Sequence, residues 1–362
     1  MEVKPDPRIG KRSSTLSVLN DPSLVAAREL HIARLRQVFA GKGGPAGFVL
    51  WGVCAQSSAD PYKEPERWVD EALDSLTAEA EKLRDRQVFR PLCLEFGPYG
   101  VHFVDRMLGA RVFFHEGQWW ADNLRRPVGA LEPPDLERDD TWRLARRIAE
   151  AFLGAKVSVP IFGLPTIASA LNVAVNLYGE EFLMAMLERP DAARHDLALI
   201  NDLLARLHRW YLTHIPLDQL QPVVAAARCQ PPGYGQLCGC TTHLLSGSQY
   251  ADLVAPLDEA LLAVYPHGGM IHLCGRHTQH IRVWQAMKSL RAVQINDRAA
   301  EDLEIYFREL RDDQIFYLSP TKMMTIERAM QITGGRRLVI VADIPCGGTQ
   351  SPISTTAPHR LK

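Results

Sequence analysis

His272 and Cys274 stand two residues apart in the run Gly268-Gly-Met-Ile-His-Leu-Cys-Gly275. If that run is a strand, residues two apart face the same side, so the imidazole and the thiol project together. Imidazole and thiolate are a standard pair of zinc ligands. A third donor has to come from elsewhere in the fold, and Cys346 is the strongest candidate, because it follows the apolar run Leu338 to Ala342 and so lies just past the end of a strand. Three protein ligands would leave one position open, the mark of a catalytic rather than a structural zinc. On composition alone, a buried histidine and a buried cysteine are the commoner outcome, so the argument rests on how the fold places Cys346.

Other residues carry weaker signals. Cys238-Gly-Cys240-Thr-Thr-His243 ends an earlier apolar run. Cys238 and Cys240 share one face, and Cys240 with His243 could bind a metal, although core filling and a loop cap are the commoner roles. Glu95 ends another run and reaches toward the same mouth, where a role toward substrate and a structural salt bridge are equally weighted. Asp297, in Asn296-Asp297, is a candidate polar contact for substrate. His277 and His280 lie one helical turn apart just after the metal pair and could hydrogen-bond at the site, although a solvated helix start is the commoner outcome. His115, Trp119 and Trp120 fall in an insertion and are expected to pack there or to form a lid.

The elements that must position these residues alternate regularly. Eight short apolar runs, Phe48 to Val53, Pro91 to Phe96, Lys156 to Phe162, Tyr234 to Cys240, Gly269 to Cys274, Ala292 to Asn296, Gln314 to Leu318 and Leu338 to Ala342, are separated by amphipathic helical stretches. Continuous apolar runs between helices predict parallel strands covered on both faces. Eight of them predict a single-domain (β/α)8 TIM barrel, with the strand ends carrying the working residues at one rim. An open doubly wound sheet is the alternative, disfavoured because no glycine-rich phosphate turn follows the first run. The expected division is a tail and helix over 1–45, the barrel over 46–347 and a tail over 348–362. The first helix is expected from Asp21-Pro22, a cap followed by proline. Inserted segments are expected at 97–134, with Arg111 to His115 as an extra strand, and at 163–190.

Composition excludes several classes. The chain has 362 residues, 46% apolar and 23% charged, with 41 basic and 42 acidic side chains. That near-neutral balance gives no broad attraction to nucleic acid or to an anionic membrane. No apolar run is long enough to span a bilayer, and Met1 to Asn20 lacks an apolar signal core. Seven scattered cysteines do not form a secreted disulfide framework, so the expected location is cytoplasmic.

Several stretches also carry a family likeness. They are Phe96-Gly-Pro before a helix, Leu108-Gly-Ala-Arg-Val-Phe-Phe, and Gly179-Glu-Glu-Phe-Leu to Glu188-Arg-Pro. Ser248-Gln-Tyr to Ala255-Pro leads into Ile271-His-Leu-Cys-Gly, and Asn296-Asp and Ser319-Pro follow. From about Phe48 to Gly347 the chain resembles the uroporphyrinogen decarboxylase superfamily. Within it, the chain is closer to the zinc-dependent, corrinoid-linked methyltransferases of the methylcobalamin:coenzyme M type. The resemblance implies a zinc ion held by His272, Cys274 and Cys346, and a methyl group passed to a thiol or related small molecule. It also implies a corrinoid carried by a partner protein, since no Asp-x-His-x-x-Gly stretch occurs here. True uroporphyrinogen decarboxylase fits less well. Its N-terminal arginine-rich signature is missing, Arg8 and Arg12 lying in a tail without that pattern, and that enzyme needs no metal. The runner-up is a related lyase acting on a carboxylated small molecule. A third reading, a corrinoid- or tetrapyrrole-binding subunit with a dead site, is disfavoured by the intact ligand triplet.

Overall fold

The structure, a computed structural model, describes residues 14–44, 47–221 and 228–343. Each of the eight apolar runs overlaps a strand. They are Phe48–Leu50, Leu92–Glu95, Ile161–Gly163, Gly235–Cys238, Gly269–Leu273, Leu290–Ile295, Ile315–Leu318 and Leu338–Val341. Every residue of Gly269–Leu273, Ile315–Leu318 and Leu338–Val341 is buried. That explains why these runs read as continuously apolar rather than alternating: helices cover one face and the interior fills the other.

The strands are parallel in two sheets. One runs, neighbour to neighbour, from Gly235–Cys238 through Gly269–Leu273, Leu290–Ile295, Ile315–Leu318 and Leu338–Val341 to Phe48–Leu50 and Val88–Phe89. The other runs from Val53–Cys54 through Leu92–Glu95 and Ile161–Gly163 to Leu220–Gln221. They are one array in practice, because the backbone amides of Trp51, Val53 and Ala55 donate to Phe89, Pro91 and Cys93 at 2.9, 2.8 and 2.9 Å. The pair Leu220–Gln221 is an additional strand beyond the eight runs. Among the described residues no strand ladder joins it to Gly235–Cys238, so strand pairing does not show a closed barrel.

Side chains span that interval instead. The buried Gln221 clamps the backbone of Gln230 from both sides at 2.9 Å, and the Gln230 amide donates to the Gly235 carbonyl at 2.8 Å. Farther up, Cys238 donates its backbone N–H to Ile167 at 2.6 Å. A buried amide is costly unless bonded, so these glutamines specify one arrangement of the segment entering Gly235–Cys238.

The register of the two strands that carry the cysteines is set at their feet by glycine. Gly269 pairs with Gly235, and two steps on Ile271 pairs with Leu237, so that His272 lies beside Cys238. A Cβ on Gly269 would sit 2.3 Å from the Gly235 carbonyl oxygen.

The helix Pro22–Phe39 begins as its sequence predicts, with the Asp21 carboxylate accepting from the Ser23 amide at 2.8 Å. Its Arg28 donates to the Ser158 and Val159 carbonyls, which ties the helix beneath the strand array. In the first insertion Val112–His115 pairs with Gln118–Ala121 as an antiparallel hairpin. Trp119 packs there against Tyr62, Tyr99 and Phe114, whereas His115 and Trp120 are exposed. No helix among the described residues is long and apolar enough to cross a membrane.

Candidate metal centre

Two neighbouring strands end in the same way. Gly235–Cys238 runs on into Gly239 and Cys240, and Gly269–Leu273 runs on into Cys274. Because the strands are parallel and His272 is paired with Cys238, the next residue on the same face of each chain brings Cys274 alongside Cys240. The Cys240 thiol reaches Cys274 Sγ at 3.2 Å, and Cys274 Sγ lies 3.1 Å from His272 Nε2. Donor atoms of Cys238, Cys240 and His272 all lie within 4.8 Å of one another, a grouping that could hold a metal ion. The sequence pattern therefore places His272 and Cys274 together as expected. Cys346 lies outside the described residues.

Gly239 makes this approach possible. A Cβ there would meet Ile271 Cγ1 at 2.7 Å and Cδ1 at 2.6 Å. A side chain between the two cysteines would push the first strand end off the second. His243, weighed as a partner for Cys240, turns outward. It is exposed, and its Nδ1 is 2.6 Å from the Cys240 carbonyl.

The imidazole is oriented from behind. His272 is buried, and its Nδ1 bonds the Gln294 amide oxygen from the next strand. The Gln294 amide nitrogen is in turn engaged by Asn296 and by Ser319 at 3.4 Å. As Gln294 Oε1 can only accept, His272 Nδ1 carries the proton and Nε2 presents its lone pair to the sulfurs. Such partners of a metal-binding histidine are worth a tenfold to hundredfold change in affinity. Gln294→Leu is therefore expected to weaken metal binding by about tenfold to a hundredfold while leaving the fold intact. Competition with a chromophoric chelator measures it, and unchanged affinity would show that Gln294 does not orient His272.

The thiols form a charge-sharing set. The Cys240 thiol donates to its neighbours, which holds the Cys274 and Cys238 thiols below the usual thiol range, while Cys240 itself is pushed up. A thiolate is the form that binds metal. Arg228, largely removed from water, faces Cys238, Cys274, Cys240 and Glu95, and burial lowers its pKa against their combined field. Glu95 packs over Gly163, where a Cβ would meet its Cγ at 2.9 Å. Asp297 opens the helix Asp297–Glu301 at φ 44 and is exposed. Partial loss of water around its carboxyl, together with the Cys274 charge, raises its pKa even though the side chain is exposed. Glu95 and Asp297 thus both lie in the field of the cysteine cluster, Glu95 through Arg228.

His277 and His280 differ from expectation. Both are fully buried rather than solvated, because the Cys240–Leu244 turn folds over them. His277 Nδ1 bonds Thr242 Oγ1 at 3.1 Å, and His280 Nε2 bonds the Thr242 carbonyl at 2.9 Å. Burial pushes His277 down to about 3, so it is neutral and acts as packing for the loop that carries Cys240.

Behind the same loop, Tyr250 donates to the buried Asp258 at 2.9 Å. Burial pushes the Asp258 carboxyl up to about 7, with Tyr250 opposing the shift. An unfolded aspartate titrates near ~3.9, so the folded chain holds a proton that the unfolded chain has lost. Stability from this group is full below about pH 4 and is lost as pH rises toward about 7. Asp258→Asn removes that slope. Over pH 5 to 7 the wild type is expected to lose roughly 2–3 kcal/mol relative to the variant in denaturant titrations, and parallel curves would contradict it.

No protein-family model matches the chain, and no curated protein matches it. A solved structure of a methyltransferase from Methanosarcina mazei shares the fold, with a TM-score of 0.59 over 87% of this chain and 93% of that one, at 11% identity. At that identity the likeness is one of architecture.

Proposed function

We propose that the protein is a zinc-dependent methyltransferase that passes a methyl group, from a corrinoid or a similar donor, to a thiol or related small molecule. The observation that carries this reading is the convergence of His272 Nε2 with cysteine sulfurs at the ends of adjacent parallel strands. The shared architecture with a methyltransferase supports it. His272 and Cys274 would hold the ion, with further sulfur from Cys240 or Cys346. A bound zinc would supply a deprotonated, nucleophilic thiol at neutral pH.

The chain's own residues provide the rest. Gln294 fixes the imidazole, and Arg228 sets a positive field at the sulfurs. Asp297 and Glu95 are proposed to contact substrate. Asp297 stands at the exposed end of its strand, where a donor brought by a partner corrinoid protein has access. A free corrinoid or a carrier subunit would meet this rim, and a cytoplasmic setting would keep the thiols reduced.

Elemental analysis tests the reading. Protein purified with zinc present should carry about one zinc per chain, and stripping with a chelator should abolish methyl transfer to thiols until zinc is restored. Wild type that carries none, yet releases carbon dioxide from a carboxylated substrate, would favour the lyase instead.

A further inference from the structure

We propose that the metal is held between two facing strand-end pairs, Cys238-Gly239-Cys240 and His272-Leu273-Cys274, as a resting set of three sulfurs and one nitrogen that needs no donor from Cys346, one of the sulfurs giving way when a substrate thiol binds. This rests on the reading that the site takes zinc, and it specifies which residues do the holding.

The register carries the argument. His272 is paired with Cys238 in a parallel ladder, and each strand offers its second donor two residues later on the same face. Four donors therefore stand at the corners of a small quadrilateral, with strand spacing along one edge and a two-residue step along the other. Tetrahedral zinc with bonds of about 2.0–2.3 Å requires donor–donor edges of roughly 3.5–3.8 Å. The observed contacts of 3.1 and 3.2 Å, together with the 4.8 Å bound on the Cys238, Cys240 and His272 group, bracket that value. Cys274 touches Cys240 and His272 but lies outside that three-donor group, so it closes toward Cys238 when the ion binds. A disulfide between Cys240 and Cys274 is not what the contact describes, since 3.2 Å is far longer than a sulfur–sulfur bond of about 2.05 Å.

Two further features were not needed by a three-ligand site. Gly239 is the residue that lets both cysteines of the first pair approach, as any side chain there meets Ile271. The Thr242 hydroxyl bonds both the Gly239 carbonyl and His277, which pins the turn that carries Cys240. A cysteine meant only to fill the core would not need its loop fixed in this way.

Cobalt(II) titration of the full-length, reduced protein tests the proposal, because sulfur-to-cobalt absorbance in the near ultraviolet grows with the number of thiolates bound. Wild type should bind one cobalt with the intensity of three thiolates. Cys346→Ser should leave both intensity and stoichiometry unchanged. Cys238→Ser and Cys240→Ser should each lose about a third of the intensity, one thiolate of three. If instead wild type shows two thiolates, and Cys346→Ser loses one while the other two variants do not, the proposal is overturned and zinc binding by His272, Cys274 and Cys346 stands. If wild type binds no cobalt or zinc, the metal reading and this proposal fall together. The wild-type intensity counts thiolates without any variant, so a misfolded substitution does not shelter the proposal.

Discussion

Replacing Cys274 with serine is expected to leave the chain folded and nearly free of zinc. Structural zinc sites gain about 10–16 kcal/mol from binding, shared among four donors, so each is worth roughly 3 kcal/mol, or on the order of a hundredfold in affinity. Cys274 also touches one donor of each kind, lying 3.2 Å from the Cys240 sulfur and 3.1 Å from His272 Nε2. Serine keeps the shape of the side chain but titrates far above any working pH, so it does not offer the anionic donor that the thiol does. After dialysis against a weak chelator, Cys274→Ser should retain under about a tenth of the wild-type zinc, and thiol methylation should fall with it. His272→Ala should behave in the same way. Zinc retained at the wild-type level in Cys274→Ser would remove that residue from the site.

Gly269→Ala is expected to destabilise the chain strongly and to disturb the site. A Cβ there would lie 2.3 Å from the Gly235 carbonyl oxygen and 2.6 Å from its carbonyl carbon. Those are backbone atoms of a neighbouring strand, so no side chain can swing aside. The ladder must part at its foot, which loses hydrogen bonds and moves His272 relative to Cys238. Overpacking that forces backbone shifts costs about 1–3 kcal/mol or more, and the upper end applies where backbone meets backbone. Gly154→Ala provides the contrast. Gly154 lies in the helix Asp140–Ala155 with nothing within 4 Å of an added Cβ, so it should gain up to about 1 kcal/mol. Chemical denaturation of the two variants checks both signs. A neutral Gly269→Ala would mean that the register is set elsewhere. A metal affinity unchanged in a destabilised variant would separate the fold from the site.

Much of this architecture was legible because buried parallel strands leave a plain trace. Ile315–Leu318 and Leu338–Val341 are apolar at every position, and the structure buries every position. Leu220–Gln221 left no such trace. It is two residues long, one of them a glutamine whose amide is occupied in clamping Gln230. The run from Lys156 was read too early, since Lys156 closes a helix at φ 53 and the strand begins at Ile161. At the site, the two-residue spacing of His272 and Cys274 was enough to predict their contact. Cys238 and Cys240 ranked lower because a sequence does not show which strands are neighbours or in what register. Their importance follows from the pairing of Cys238 with His272, which the facing glycines permit. The glycines at 235, 239 and 269 were the available signal, each inside an apolar run where a side chain would be expected. His277 and His280 were misjudged because nothing in their spacing reveals that the Cys240–Leu244 turn covers them.

The central claim is zinc-dependent transfer of a methyl group to a thiol. It is tested most directly by incubating zinc-loaded and chelator-stripped protein with methylcobalamin and a panel of small thiols, and following thioether formation by mass spectrometry. The account predicts a methyl thioether from at least one thiol, formed by the zinc-loaded protein, lost on stripping and absent in Cys274→Ser. Thioether formed equally well by stripped protein would contradict the role of the metal. No thioether from any thiol, with a carboxylated substrate decarboxylated by stripped protein, would contradict the account as a whole.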